Sequence, residues 1–126
     1  MPATRARPPL PLEHDEHCIV ADWLRLRPSL LWTTVPNERK DVRYARKLKR
    51  AGVQRGVPDI LIFSPPTNLL IPRRVGVALE LKRADGGNGV SPPQKFWLAA
   101  LEARGWYTFV AHGAAAAIAE LERLGY

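Results

Sequence analysis

The chain is poor in cysteine, with Cys18 as its one thiol among 126 residues. A single thiol excludes an internal disulfide and a cluster of cysteine metal ligands, and the setting expected from it is a reducing cytoplasm. No segment approaches the ~20 apolar residues of a membrane-spanning helix, and the N-terminus lacks the apolar stretch of a signal peptide. We therefore expect a loose tail over residues 1–11 and one domain over residues 12–126, without a membrane partner. Cys18 is expected to be a small buried residue on a helix.

Acidic residues are outnumbered, with 12 Asp and Glu against 19 Lys and Arg and a net charge of +7. Such a surplus favours a polyanionic partner, because Lys and Arg displace counterions from phosphates. Residues 39–55 hold eight of the basic residues, opposed by Asp41 alone. A merely solvated helix face is the alternative interpretation of this run. The expected DNA contacts are Arg39, Arg43, Arg46, Lys47, Arg50 and Arg55, with Arg83 and Lys95 added from the other side.

Apolar spacing and turn residues predict eight elements in the order α-β-α-β-β-α-β-α. Helices are predicted over residues 12–26, 39–51, 91–104 and 114–124, and strands over residues 30–35, 59–63, 75–82 and 106–111. Helices and strands in this order predict an α/β domain, a mixed β-sheet of about four strands flanked by helices. The four tryptophans stand at apolar positions of these elements, so they are expected in the core rather than as stacking platforms for bases.

Charged residues stand where the two central strands begin and end. Asp59 follows Pro58 at the start of one strand, and Glu80-Leu81-Lys82 ends the next. Alternate residues of a strand share a face, so Glu80 and Lys82 point to one side while Leu81 points to the other. If the two strands pair as a hairpin, Asp59 reaches the same point. A turn residue and a surface ion pair explain each motif alone, but burying Glu80 without a cation is costly, so together the motifs predict a hydrolytic metal site.

Gly56-Val57-Pro58-Asp59 followed by Glu80-Leu81-Lys82 resembles the PD-(D/E)XK nuclease superfamily. Four further places make the chain similar to its virus-type replication-repair nuclease (VRR-NUC) domain: Glu13 on the first helix, residues 35–38 after the first strand, the basic run, and residues 91–94 at the start of a helix. The resemblance covers residues 13–124 and implies a restriction-endonuclease-like sheet.

The resemblance also implies a division of labour at the site. Asp59, Glu80 and a main-chain carbonyl near Leu81 are implied as ligands of Mg²⁺ or Mn²⁺, with Glu13 as an additional carboxylate. Lys82 is implied to position or deprotonate the attacking water, and Gln94 to belong to the same site. The glutamine expected four residues after Glu13 is replaced by His17, so Glu16 stays open as the alternative ligand from this helix.

The expected function is a metal-dependent DNA endonuclease that selects branched structures such as Holliday junctions, in a bacterial or phage-infected cell. Similarity to stand-alone domains of this family implies a homodimer, with the apolar segment Leu69-Leu70-Ile71 as the candidate contact. Two alternatives remain open: a non-catalytic nucleic-acid binding module, and a sequence-specific restriction-type nuclease.

Overall fold

A computed structural model describes residues 13–36, 42–86 and 89–126 of the chain. Its elements follow the predicted order, and their bounds are α1 Glu13–Arg25, β1 Trp32–Thr34, α2 Val42–Arg50, β2 Ile60–Ile62, β3 Gly76–Lys82, α3 Pro92–Glu102, β4 Trp106–His112 and α4 Ala114–Arg123. The α/β architecture predicted from the sequence is therefore confirmed. The predicted tail over residues 1–11 lies outside the described residues, as do Asn37, Glu38 and Arg39.

The four strands form one mixed sheet in the spatial order β1-β2-β3-β4. β2 pairs antiparallel with both β1 and β3, with Ile60 opposite Leu79, whereas β3 and β4 run parallel. A loop joins β2 to β3, and the connection from β1 to β2 contains α2. The parallel pair is connected through α3, because parallel strands require a crossover. β3 lies inside the sheet and all seven of its residues are buried.

The core lies between one face of the sheet and the helices α1 and α4. Buried apolar side chains of β2 and β3 contact Val20 and Leu24 of α1 and Leu121 of α4. Removing this apolar surface from water supplies about 25 cal/mol per Å² and is the main term that holds the layers together. The opposite face of β3 carries Glu80 and Lys82, so the pleat separates the core from the polar site.

Several predictions of buried residues are wrong, and the helices α1 and α3 show why. On α1, Cys18 and Ile19 are exposed, as is Leu26 just after the helix, while Glu16 and Ala21 are buried. The buried face is narrower than the apolar stripe in the sequence, because only the side that faces α4 and the sheet is covered. α3 buries none of its residues, and Phe96, expected in the core, is 66% exposed. All four tryptophans are half-buried, and Trp23 and Trp32 pack against the core as expected.

Candidate active site

The strand register brings the two acidic motifs together. Since Ile60 pairs with Leu79, one further residue places Asp59 opposite Glu80 on the same face of the sheet. The main-chain N–H of Leu81 donates a hydrogen bond of 2.8 Å to Asp59 Oδ2, which fixes that carboxylate against β3. Asp59, Glu80 and Lys82 are all buried. The site therefore lies where β2 begins and β3 ends.

Glu80 has two oxygens in different surroundings. Oε1 accepts a hydrogen bond of 2.8 Å from Gln94 Nε2 and lies 3.6 Å from Lys82 Nζ. Oε2 is buried, and no hydrogen-bond donor reaches it from the described part of the chain. Burial raises the pKa of the Glu80 carboxyl well above its usual range, and the charge of Asp59 raises it further, whereas Lys82 lowers it.

Gln94 connects β3 to the start of α3. Its Oε1 accepts from Lys82 Nζ at 3.0 Å and from the main-chain N–H of Ser91 at 2.9 Å, while the Ser91 hydroxyl accepts from Gln94 N. This reciprocal arrangement is a capping box, which satisfies the free N–H groups of a helix start. Because Lys82 and the Ser91 N–H can only donate, the amide oxygen must face them, and the amide nitrogen must face Glu80. The cap of α3 thus fixes the orientation of a site residue.

Gly56 permits the close approach of α3 to the segment that leads into Asp59. Its φ is +87°, and a Cβ there would lie 2.4 Å from the carbonyl carbon of Pro93 and 2.7 Å from Gln94 N. Because φ is left-handed and the Pro93–Gln94 peptide lies so close, any side chain at this position would displace the start of α3. The sequence identified Gly56 only as part of a motif; the structure adds the packing reason.

Glu13 and Glu16 have different surroundings, although both belong to the first turn of α1. Glu13 lines a cleft of about 490 Å³ together with His17 and Asp59. Partial burial raises its pKa, the charge of Asp59 raises it further, and Lys82 opposes that rise. Glu16 is buried and accepts a hydrogen bond from the main-chain N–H of Ala114. Of the two open candidates, the geometry therefore brings Glu13 to the site and Glu16 to the N-terminus of α4.

The role of Glu16 was missed by sequence reasoning. Gly113, the N-cap of α4, makes no side-chain cap hydrogen bond, and Glu16 supplies a carboxylate there from 98 positions earlier. A negative charge at a helix N-terminus is stabilising because it faces unpaired N–H groups and the positive end of the helix dipole. No local pattern signals a cap that comes from so far along the chain.

The expected DNA contacts differ in exposure and in pairing. Arg43, Arg46, Lys47 and Arg50 are exposed along α2, whereas Arg55 is exposed on the loop that follows. Lys95 is exposed on the first turn of α3, one residue from Gln94, and Arg83 pairs with Asp85 at 3.1 Å. Arg39 lies outside the described residues. In the sequence, Arg55 thus stands four residues before Asp59, and Arg83 and Lys95 directly follow Lys82 and Gln94.

The residues present fit a hard divalent cation, although they do not enclose it. Asp59 and Glu80 offer carboxylate oxygens, and Glu80 Oε2 is a buried acceptor without a donor in the described structure. Within those residues, no three His, Cys, Asp or Glu side chains are grouped closely enough to hold an ion unaided. Mg²⁺ commonly binds through one or two carboxylates and keeps several waters, so a two-carboxylate site suits it.

Comparison with solved structures finds the same architecture in a protein described as a VRR_NUC domain protein. The TM-score is 0.70 and the sequence identity is 24%, over 95% of this chain and 91% of that chain. This chain has the VRR_NUC fold. The structural likeness thus confirms the resemblance stated from the motifs, at the level of the fold. No protein-family model and no curated protein matches the chain.

The VRR_NUC fold accounts for the position of the site, because this arrangement of strands places Asp59 and Glu80 side by side. No helix in the described residues has the length and apolar character to cross a membrane.

Proposed function

We propose that this chain is a Mg²⁺- or Mn²⁺-dependent DNA endonuclease that hydrolyses phosphodiester bonds and selects branched DNA. The observation that carries the proposal is the buried group of Asp59, Glu80 and Lys82. In it, Glu80 Oε2 accepts no hydrogen bond from the described residues. Two acidic side chains beside a phosphate are unfavourable unless a cation lies between them. A cation-dependent reaction on a polyanion explains both the carboxylates and the basic surface.

Each residue has a role that follows from its contacts. Asp59 is held by the Leu81 N–H and Glu80 by Gln94, so their oxygens are oriented before any ion arrives. A bound Mg²⁺ or Mn²⁺ would be held by Asp59, Glu80 and the Leu81 carbonyl, with Glu13 nearby. It would supply positive charge to the phosphate and acidify a water.

We assign Lys82 a role in the reaction that depends on an ammonium group held in place by Gln94. Gln94 Oε1 holds the Lys82 ammonium at 3.0 Å, and the ammonium carries two further N–H donors. We infer that one of these orients the attacking water or stabilises charge on a phosphate oxygen. Gln94 therefore positions both Lys82 and the proposed metal ligand Glu80.

DNA binding is assigned to the exposed cations of α2 and its following loop, with Lys95 on the opposite side. None of these residues belongs to a base-reading helix motif, so contacts to the backbone and selectivity for shape are expected. If Lys47 and Arg50 contact phosphates, the variant with both reversed to Glu loses affinity, and its affinity falls less steeply with salt. An unchanged salt dependence would assign α2 to a solvated face instead.

A homodimer is proposed through the turn that carries Leu69 and Leu70. Their exposures are 97% and 94%, yet the turn is fixed, since Thr67 N and Asn68 N both donate to Leu124 O at 3.1 Å. The third residue of the expected patch, Ile71, packs on the core instead. The turn lies at the C-terminus of α4 and the site near its N-terminus, about 15 Å away for ten residues. Pairing through this turn leaves both clefts accessible.

The test is cleavage of end-labelled four-way junction, flap, single-stranded and duplex DNA, with Mg²⁺, Mn²⁺ or EDTA. The proposal predicts cutting with either ion, none in EDTA, and faster cutting of branched DNA than of duplex. Faster cutting of one duplex sequence would favour a restriction-type enzyme. Tight binding without cutting under either ion would favour the non-catalytic binding module.

A further inference from the structure

A second groove lies outside the candidate site and is lined by residues that precede Asp59 in the sequence. It measures about 700 Å³ and runs between α2 and the loop over residues 52–55. Its apolar wall comes from Val42, Ala45 and Val53, and its cations are Arg46, Lys49 and Arg55. We refer to it as the α2 groove. Its volume is in the range of roughly 300–1,000 Å³ typical of sites for organic ligands.

The groove occupies its own face of α2. Val42, Ala45 and Lys49 stand at spacings of three and four residues, so they share one side of the helix. Lys47 and Arg50 belong to the neighbouring side, and Arg46 stands between the two. A ligand in the groove therefore shares Arg46 and Arg55 with the DNA-binding set and lies beside Lys47 and Arg50.

The charge of the α2 groove selects an anionic occupant with apolar faces. None of the described residues that line it is acidic. An unpaired nucleotide combines a flat base, which packs on aliphatic or aromatic surface, with a phosphate that pairs with Arg and Lys. Trp23 is a poorer surface for a base, since the Arg27 guanidinium already covers it, 3.3 Å from its ring centroid.

The distance to the site suits the same strand. Arg55 is four residues from Asp59, which limits their Cα separation to about 14 Å. Along a DNA strand, that corresponds to about four nucleotides at a rise of roughly 3.4 Å. A strand held at Arg55 is thus within a few nucleotides of the carboxylates.

We propose that the α2 groove binds an unpaired nucleotide of the DNA substrate a few positions from the bond to be cut. This inference rests on the proposed nuclease function and narrows its substrate to DNA with a single-stranded segment. An acidic amphipathic peptide shares the charge, but the closeness of the groove to Asp59 favours DNA.

The experiment compares binding, in EDTA, to a blunt duplex and to the same duplex with a single-stranded overhang. Ala45→Leu fills the groove and Val53→Ser removes part of its apolar wall. Ala51→Leu is the matched control, because Ala51 is exposed just after α2 and does not line the groove. Thermal melts of each variant establish that it is folded.

Wild type is expected to bind the overhang DNA more tightly. Ala45→Leu and Val53→Ser should each weaken that binding by about fivefold or more, the loss of one base contact, and leave the blunt duplex unchanged. Ala51→Leu should change neither. Equal weakening of binding to both DNAs, or no change in either, overturns the inference. If neither changes and an acidic peptide binds wild type but not Ala45→Leu, the groove belongs to a protein partner. Because EDTA prevents cleavage, this result is independent of whether wild type cuts DNA with Mg²⁺.

Discussion

Glu80 shows how the fold prepares a site at the level of single atoms. The side chain is 1% exposed, one oxygen is held by Gln94 and Lys82, and the other lacks a donor in the described structure. Such an arrangement costs stability when no cation is present, because a buried acceptor without a partner loses its hydration. Strain of this kind is typical of functional sites, where it is offset elsewhere in the fold.

Replacing Glu80 with Gln should therefore stabilise the protein in EDTA at neutral pH. The raised pKa means that the folded state binds the proton more tightly than the unfolded state. The favourable contribution is complete below the ordinary pKa of Glu and is lost as pH rises through the folded-state value. We expect the variant to gain about 1–3 kcal/mol at neutral pH, measured by urea unfolding, and little near pH 4.

Mg²⁺ provides the control for this effect. It should raise the melting temperature of wild type and leave that of Glu80→Gln nearly unchanged, because a ligand that binds only the folded state stabilises it. A variant less stable than wild type in EDTA at neutral pH would show that Glu80 is satisfied without a cation.

The residues of the site were predictable where one local rule decides their direction. Period-two alternation in β3 puts Glu80 and Lys82 on one face, and this needs no knowledge of the rest of the fold. The choice between Glu13 and Glu16 was not predictable, because the direction of the Glu16 side chain is determined by its hydrogen bond to the distant N-terminus of α4. Cys18 was misplaced for a similar reason: its exposure depends on which side of α1 is covered.

At the level of elements, α3 and the loop before β2 meet at Gly56. Adding a Cβ there pushes against the Pro93–Gln94 peptide and so displaces the cap that orients Gln94. The displacement reaches Lys82 and Glu80 through the two hydrogen bonds of Gln94. Gly56 is therefore a positioning residue that acts through α3.

Gly56→Ala should reduce the single-turnover cleavage rate by about 10-fold to 100-fold, the loss typical of misplaced supporting residues. DNA affinity in EDTA should stay the same, since the basic face of α2 is untouched. In the Gln94→Ala background the same substitution should have little further effect on the rate, because both changes act through one contact.

If Gly56→Ala acted only by destabilising the protein, it would lower the cleavage rate by the same factor in wild type and in the Gln94→Ala background. Such additive losses would contradict the positioning role of Gly56.

The order of the elements was predictable, whereas their burial was only partly so. β3 is a continuous apolar run broken by Glu80 and Lys82, which is typical of a central strand. For α3, the spacing of Phe96 and Trp97 suggested a core helix, yet the helix buries none of its residues. How far a helix is covered depends on the elements above it, and periodicity does not report that.

For the whole molecule, the active site and the apolar turn lie at opposite ends of α4. Leu69 and Leu70 are almost fully exposed on a turn held by Leu124 O. Two adjacent exposed leucines on a fixed turn are a natural contact for a second copy, which would repeat the same patch around a two-fold axis.

Leu69→Ser with Leu70→Ser should convert the proposed dimer to a monomer in light scattering. The melting temperature and the rate of flap cleavage per site should change little. Reversal of Arg73 to Glu is a control at the same end of the molecule. A wild-type protein that is monomeric at high concentration would contradict the dimer and leave the site unaffected.

The central claim is that Asp59 and Glu80 hold a cation for cleavage, and one matched comparison tests it most directly. Asp59→Asn and Glu16→Gln each exchange a buried carboxylate for an amide; one lies in the site, and the other caps α4. The measurement is the Mg²⁺-dependent single-turnover rate on the best-cleaved DNA. We predict a loss of at least about 100-fold for Asp59→Asn, equivalent to about 2.7 kcal/mol or more of lost charge stabilisation. Glu16→Gln should lower the melting temperature and keep the rate within a few-fold of wild type. Comparable rates for Asp59→Asn and wild type would contradict the account.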